Sequence, residues 1–448
     1  MLAALGPAVA QETSVPSPAA TQQQTIDYLM KQLAQHEARI KELEEKLAQQ
    51  NNRRDTDQSA QASEAGAQPP SPSAAPPVQS LPASTAATSP APEHTPETSP
   101  EQTVDMHDHT MELPGGGPKL KIRGFFDFNL GVGRDANPLI FPLNATIHNT
   151  FQSGEFDLFM SSKLSDTISF LSELVVGSDP TNEWGLDIER LQLTYKPSPY
   201  FEISAGRYHT SIGYYNTAFH HGTWFQTTTG RPFMYFFEDS GGILPVHSVG
   251  VSTSGLVPGT EKLGLHWVAE IGNGRSSSPF GEPVQNFLSD KNHKDFNLAA
   301  YIAPSWLRGL QIGGSYYRDR MVPAGIPPVE QTIESAYVVY ITPKWEFMNE
   351  GVILMNRING QQKIYNTPLL YSQVSRRFGA YRPYFRYQYV NSPLKDPVNI
   401  YTGRYEGPSF GLRMDFTEYA ALKVQYNRLY QLNTRPWNGL DTQVAFTF

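Results

Sequence analysis

From Lys119 to Phe448 the chain alternates apolar and polar residues with a period of two, and no other feature constrains its fold as much. In KLKIRGFFDFNLGV, Leu120, Ile122, Phe126, Phe128 and Leu130 fall on one face, and Lys119, Lys121, Arg123, Asp127 and Asn129 on the other. A segment of this kind is a strand with one apolar and one wet side. The pattern returns around 152–164, 167–177, 186–196, 199–207, 245–254, 262–272, 294–303, 309–319, 331–341, 344–356, 367–377, 381–391, 408–417, 419–430 and 439–448. With the first segment this makes about 16 strands, an even number as antiparallel barrels of bacterial outer membranes require.

The connections sharpen the expectation, because they alternate short and long. Short ones fall near Asp166, Lys196-Pro197-Ser198, 256–261, 304–308, Thr342-Pro343, Gly379-Ala380 and Thr417-Glu418. Long ones fill 133–151, 178–185, 208–244, 273–293, 320–330, 357–366, 392–407 and 431–438. A soluble sandwich has no reason for such asymmetry, whereas an outer-membrane barrel has short periplasmic turns and long outward loops. Aromatics gather at the short-turn end (Tyr195, Tyr200, Phe201, Trp306, Tyr381, Phe416, Tyr419), where a lipid–water boundary favours them.

Composition removes the competing classes. Charged residues are 17% of the chain, below the roughly 25% of soluble domains, and aromatics are 12%. No run of 18 apolar residues exists, so a transmembrane helix is excluded. The absence of cysteine excludes a disulfide scaffold, a thiolate metal site, a cysteine nucleophile and an N-terminal lipid anchor on Cys. The net charge of −8 is uneven: residues 1–118 carry 6 Lys/Arg against 15 Asp/Glu, and residues 119–448 carry 29 against 28.

Ahead of the barrel, residues 1–10 read as the remnant of an export signal ending Ala8-Val9-Ala10. Residues 24–50 place Ile26, Leu33, Ile40 and Leu47 at heptad position a, with Leu29, His36, Leu43 and Gln50 at d, which predicts a periplasmic coiled coil. Ile at a with Leu at d favours dimers, so the heptads do not set the oligomer number. Residues 51–117 are rich in Pro, Ser and Ala and read as a disordered linker, leaving 118–448 as the barrel.

The architecture from Gln24 to Phe448 resembles the 16-stranded porins of Gram-negative outer membranes. The helix ahead of the barrel narrows the resemblance to the DcaP-like and phosphate-selective porin O/P subgroup. The closing QVAFTF resembles the C-terminal signature by which such barrels are recognised for assembly. The resemblance implies a trimer and a third outward loop that folds into the pore. Here the third long connection, 208–244, is the longest, and its aromatics need something to pack on. Lying on the inner wall would bury them and leave His220, His221, Arg231, Glu238 and Asp239 facing water as a constriction.

Parity places Lys121, Arg123, Arg190, Arg382, Arg386, Arg413 and Lys423 on the lumen face, and these are expected to form a basic wall that tunes ion selectivity. The loop carries one Arg and no Lys, so phosphate specificity does not carry over. Chemistry is not expected: there is no Walker loop, nucleophile elbow or HExxH motif. Asp105-x-His107-Asp108-His109 lies in a linker that preorganises nothing, so no metal site and no cofactor are predicted. The expected function is passive diffusion of small hydrophilic solutes and ions. Expected partners are outer-membrane lipid and copies of the chain, and nucleic acid is not among them. The alternative is a structural tether that reaches peptidoglycan through the coiled coil.

Overall fold

The computed structural model describes residues 109–111, 118–134, 149–178, 184–219, 222–237, 242–276, 287–323, 326–399, 402–431 and 436–448. They lie within one compact unit, Pro96–Phe448. The expected signal remnant, the coiled coil and most of the linker lie outside the described residues.

Sixteen long strands follow a short one, β1 (His109–Met111). The first eight are β2 (Leu120–Arg134), β3 (Thr150–Lys163), β4 (Ile168–Ser178), β5 (Trp184–Ser198), β6 (Phe201–His209), β7 (His247–Leu256), β8 (Leu265–Gly272) and β9 (Asp295–Ile302). The second eight are β10 (Leu310–Met321), β11 (Val329–Ile341), β12 (Trp345–Ile358), β13 (Tyr365–Arg376), β14 (Tyr381–Asn391), β15 (Arg404–Asp415), β16 (Ala420–Gln431) and β17 (Trp437–Thr447). Each pairs antiparallel with its sequence neighbours, and β17 pairs with β2 from Asn438↔Arg134 to Thr447↔Phe125. The result is a closed 16-stranded barrel, and closure removes the unpaired edges that an open sheet exposes.

Alternation of burial follows the sequence pattern. On β11, Val329, Gln331, Ile333, Ser335, Tyr337 and Val339 are buried, while Glu334, Ala336 and Val338 are exposed. Outward side chains such as Phe128, Leu193, Leu298 and Phe410 leave an apolar outer surface. The inward faces of β11–β13 are not simply wet, however. Ile333, Leu354 and Leu369 point inward and form one apolar cluster with Tyr215, Phe233 and Tyr235 of the connection between β6 and β7.

The seam between the chain ends has its own geometry. Phe448 and Gly124 exchange two backbone hydrogen bonds of 2.8 and 3.0 Å. Past that point β17 has ended, and β1 takes its place against β2, with His109, Thr110 and Met111 opposite Ile122, Lys121 and Leu120. These three residues of the segment expected to be linker therefore continue the ladder of β17. A Cβ at Gly124 would meet the tip of the Phe448 ring, which packs beside Phe156 and Phe446, so the ring would have to shift.

Candidate functional site: the loop inside the barrel

Residues 210–246 leave β6 and return to β7 through α1 (Tyr215–Ala218) and two 3-10 turns, Thr223–Phe225 and Phe233–Tyr235. The neck is cinched. Thr210 N–H donates to the Val246 carbonyl at 2.9 Å, and the Asn216 amide donates to the carbonyls of Thr210 and Val246 at 2.8 and 2.9 Å. From there the described loop residues contact inward side chains of β12–β17.

Two carboxylates of β12 hold its first part. Glu350 accepts the Tyr214 and Tyr215 N–H groups at 2.7 and 2.9 Å, and the hydroxyls of Tyr235 and Tyr371 at 2.7 and 2.5 Å. Unpaired backbone donors at a helix start favour an anion there, and a buried carboxylate needs this many donors to be tolerated. Glu346, four residues earlier on the same face, accepts Thr227 Oγ1 at 2.9 Å and the Gln373 amide at 2.7 Å. Sequence reasoning missed both residues. The signal was present in WEFMNEGV, where two acids sit at inward parity on a strand with apolar neighbours.

The basic side chains hold the second part. Arg382, Arg413 and Lys423 are register partners in one row across β14, β15 and β16. Like charges directly opposed on a sheet destabilise it unless something neutral or negative intervenes. Here the loop backbone intervenes. Arg413 Nη1 donates to the carbonyls of Trp224 and Gln226 at 2.6 and 3.0 Å. Lys423 Nζ donates to the carbonyls of Thr223 and Thr228, and to Gln443 Oε1 at 2.8 Å. Arg386 donates to the Gly230 carbonyl at 2.8 Å and to Thr228 Oγ1 at 2.5 Å, and Arg382 reaches Thr227 Oγ1 at 3.3 Å. Arg386, Arg413 and Lys423 are 2%, 6% and 0% exposed, so their contacts are with the loop rather than with open water.

The other expected wall residues stand apart from this row. Arg190 pairs with Glu173 at 2.6 Å and lies over the Phe159 ring. Lys121 and Arg123 sit opposite Ser161 and Phe159, near the short-turn end of β2. In register the Lys423 row passes through Gln443 to Asn129. Arg123 is six residues further along β2, about 20 Å at ~3.3 Å per residue. The expected patch is thus two groups, with Phe125 and Trp224 packed between them. The inner wall of β2–β4 carries Asp127, Asp157 and Glu173, all buried. Within the loop, Arg231 donates to the Tyr235 carbonyl at 2.8 Å and stacks over Phe237 at 4.0 Å, bracing the loop on itself. His220, His221, Glu238 and Asp239 lie outside the described residues.

A second fastening ties the end of the loop to neighbouring connections. Arg275 donates to the Ile243 carbonyl at 3.0 Å and to Gln331 at 3.5 Å. Gln331 donates to Asn356, and Asn356 donates to Asp396 at 2.9 Å. Asp396 also accepts the N–H groups of Val398 and Asn399. Three long connections therefore share one buried polar chain, a relation no single strand's pattern reveals.

No protein-family model matches the chain, and no curated protein matches it in sequence. Its fold is shared with solved barrels. The outer membrane channel DcaP of Acinetobacter baumannii aligns with a TM-score of 0.51 at 9% identity, over 75% of this chain and 98% of that one. An anion-selective porin from Comamonas acidovorans aligns with a TM-score of 0.51 at 10% identity, over 74% of this chain and all of the other. OmpF of Salmonella typhi aligns with a TM-score of 0.50 at 11% identity, over 75% of this chain and all of the other. At such identities the likeness is one of fold.

Proposed function

We propose that the protein is an outer-membrane porin that lets small hydrophilic solutes and ions diffuse passively, with residues 210–246 as its constriction. The observation that carries the reading is the loop's fastening. The described parts of the 210–246 connection are held by side chains from every strand between β12 and β17. A channel that sieves by size needs an obstacle of fixed position, and hydrogen bonds from a rigid wall supply one. Lys121, Arg123, Arg190 and the row from Arg382 to Lys423 are its field-setting charges, and the expected outcome is conduction of both ion signs with a modest bias. The homo-oligomer, read as a trimer, belongs to the same proposal.

Planar-bilayer recording of the folded oligomer tests it. Stable conductance steps that shrink as polyethylene glycols small enough to enter are added support the reading. A folded oligomer that never conducts would sink it.

A further inference from the structure

Charge on the outer surface of the barrel is not evenly placed. On β3, β4, β7, β8, β9 and β17, no Asp, Glu, Lys or Arg stands at an outward position. On β10–β12 and β15–β16, outward charges do occur, and except for Glu334 in mid-strand they crowd the end where the long connections begin. Arg318 and Arg320 alternate with the inward Tyr317, Asp319 and Met321. Arg357 follows the buried Asn356, Arg404 precedes the buried Tyr405, and Arg428 lies between the buried Asn427 and Leu429.

Arg320, Glu330 and Arg357 form one row in register across β10, β11 and β12. Glu330 is shared by Arg318 at 3.5 Å and Arg320 at 3.4 Å, and Arg404 pairs with Glu406 at 2.9 Å. Arg357 is exposed and has no ion-pair partner among the described residues. Cations thus exceed the nearby carboxylates Glu330, Glu334 and Glu406.

Height decides what these cations face. On β12, Trp345 marks the short-turn end, and Phe347, Asn349, Gly351, Ile353 and Met355 lie on the same outward face before Arg357. Twelve residues at ~3.3 Å, in a strand tilted by about 40°, rise roughly 30 Å along the barrel axis. An apolar band of about 25 Å is thereby crossed, and Arg357 emerges just beyond it. A guanidinium at that level, pointing away from the barrel, meets headgroups. Its planar fork binds phosphate oxygens in pairs, and partial dehydration at the interface strengthens the bond.

We propose that the outward arginines at the long-connection rim of β10–β12 and β15–β16 are a docking surface for the phosphates of anionic lipid in the surrounding leaflet. The proposal rests on the reading of the barrel as membrane-spanning but not on conduction.

The test uses the full chain folded in detergent and mixed with phosphatidylglycerol or phosphatidylcholine, with retained lipid counted by native mass spectrometry. Wild type is expected to retain the anionic lipid about fivefold over the zwitterionic one. The triple variant R318Q/R320Q/R357Q should lose that preference, and R357Q alone should lose part of it if the triple variant does not fold. Arg376→Gln, at the opposite rim and stacked on Trp345 and Phe378, should leave it intact. Equimolar inorganic phosphate should not displace the lipid. Unchanged preference in the folded variants overturns the proposal, as does displacement by phosphate, which would mark a site for free anions. Conductance measured on the same samples keeps the two readings apart, because losing lipid preference with intact conductance leaves the channel untouched.

Discussion

Arg413 and Lys423 stand directly opposite each other on β15 and β16, two buried cations at one register position. What lies between them and the lumen is the main chain of residues 223–228, whose carbonyls accept from both. The wall positions the loop, and the loop in turn adds acceptors to cations that have only Asp415 and Gln443 beside them on the wall.

Removing Lys423 therefore tests the loop more than the charge. Lys423→Met keeps most of the side-chain volume but leaves the carbonyls of Thr223 and Thr228 without this donor. We expect faster hydrogen exchange at amides 223–230 and a destabilisation of about 1–3 kcal/mol, offset in part by relief of the Arg413 repulsion. Unchanged exchange in this segment would show that the loop holds itself.

Glu350→Gln probes the first anchor. The amide keeps the shape but has one acceptor oxygen for four donors, the N–H groups of Tyr214 and Tyr215 and the hydroxyls of Tyr235 and Tyr371. A cost of about 2 kcal/mol should loosen α1 and raise single-channel current noise. Quiet channels with wild-type conductance would contradict the anchoring role.

Replacing Arg382 and Arg386 together by Ala should act in two ways. The loss of two fixed cations shifts the reversal potential toward cation preference, and more so in dilute salt, since screening at physiological salt reaches within about 8 Å. The loss of contacts to Thr227, Thr228 and Gly230 also frees the loop and increases conductance. Phe385→Leu, on the outward face between them, should do neither. A double variant with wild-type reversal potential at low salt would remove these residues from the field of the pore.

Gly124→Val tests the seam. The new side chain occupies the space of the Phe448 ring, so the ring must leave Phe156 and Phe446. The folded fraction on a heat-modifiability gel should fall severalfold, because overpacking at a tight contact costs about 1–3 kcal/mol. Normal yield would mean that the terminal ring is dispensable to closure.

Alternation, loop lengths and low charge were enough to read the number of strands, their order and the closure of the barrel. Those properties are local: a period of two follows from the pleat of each strand, and turn length follows from what each end of the barrel meets. Parity turns Arg386, Arg413 and Lys423 to the same face of the sheet. What each of them binds is decided by a segment some 150 to 200 residues away in the chain, and no periodicity carries that relation. The same holds for Glu350, which reads as an acid on a strand until the start of α1 is brought to it, and for His109–Met111, which reads as linker until the end of β17 leaves a vacant place on β2. Parity turns a side chain inward, but only the folded loop gives it a partner, because hydrogen bonds depend on positions in space that strand pattern does not encode.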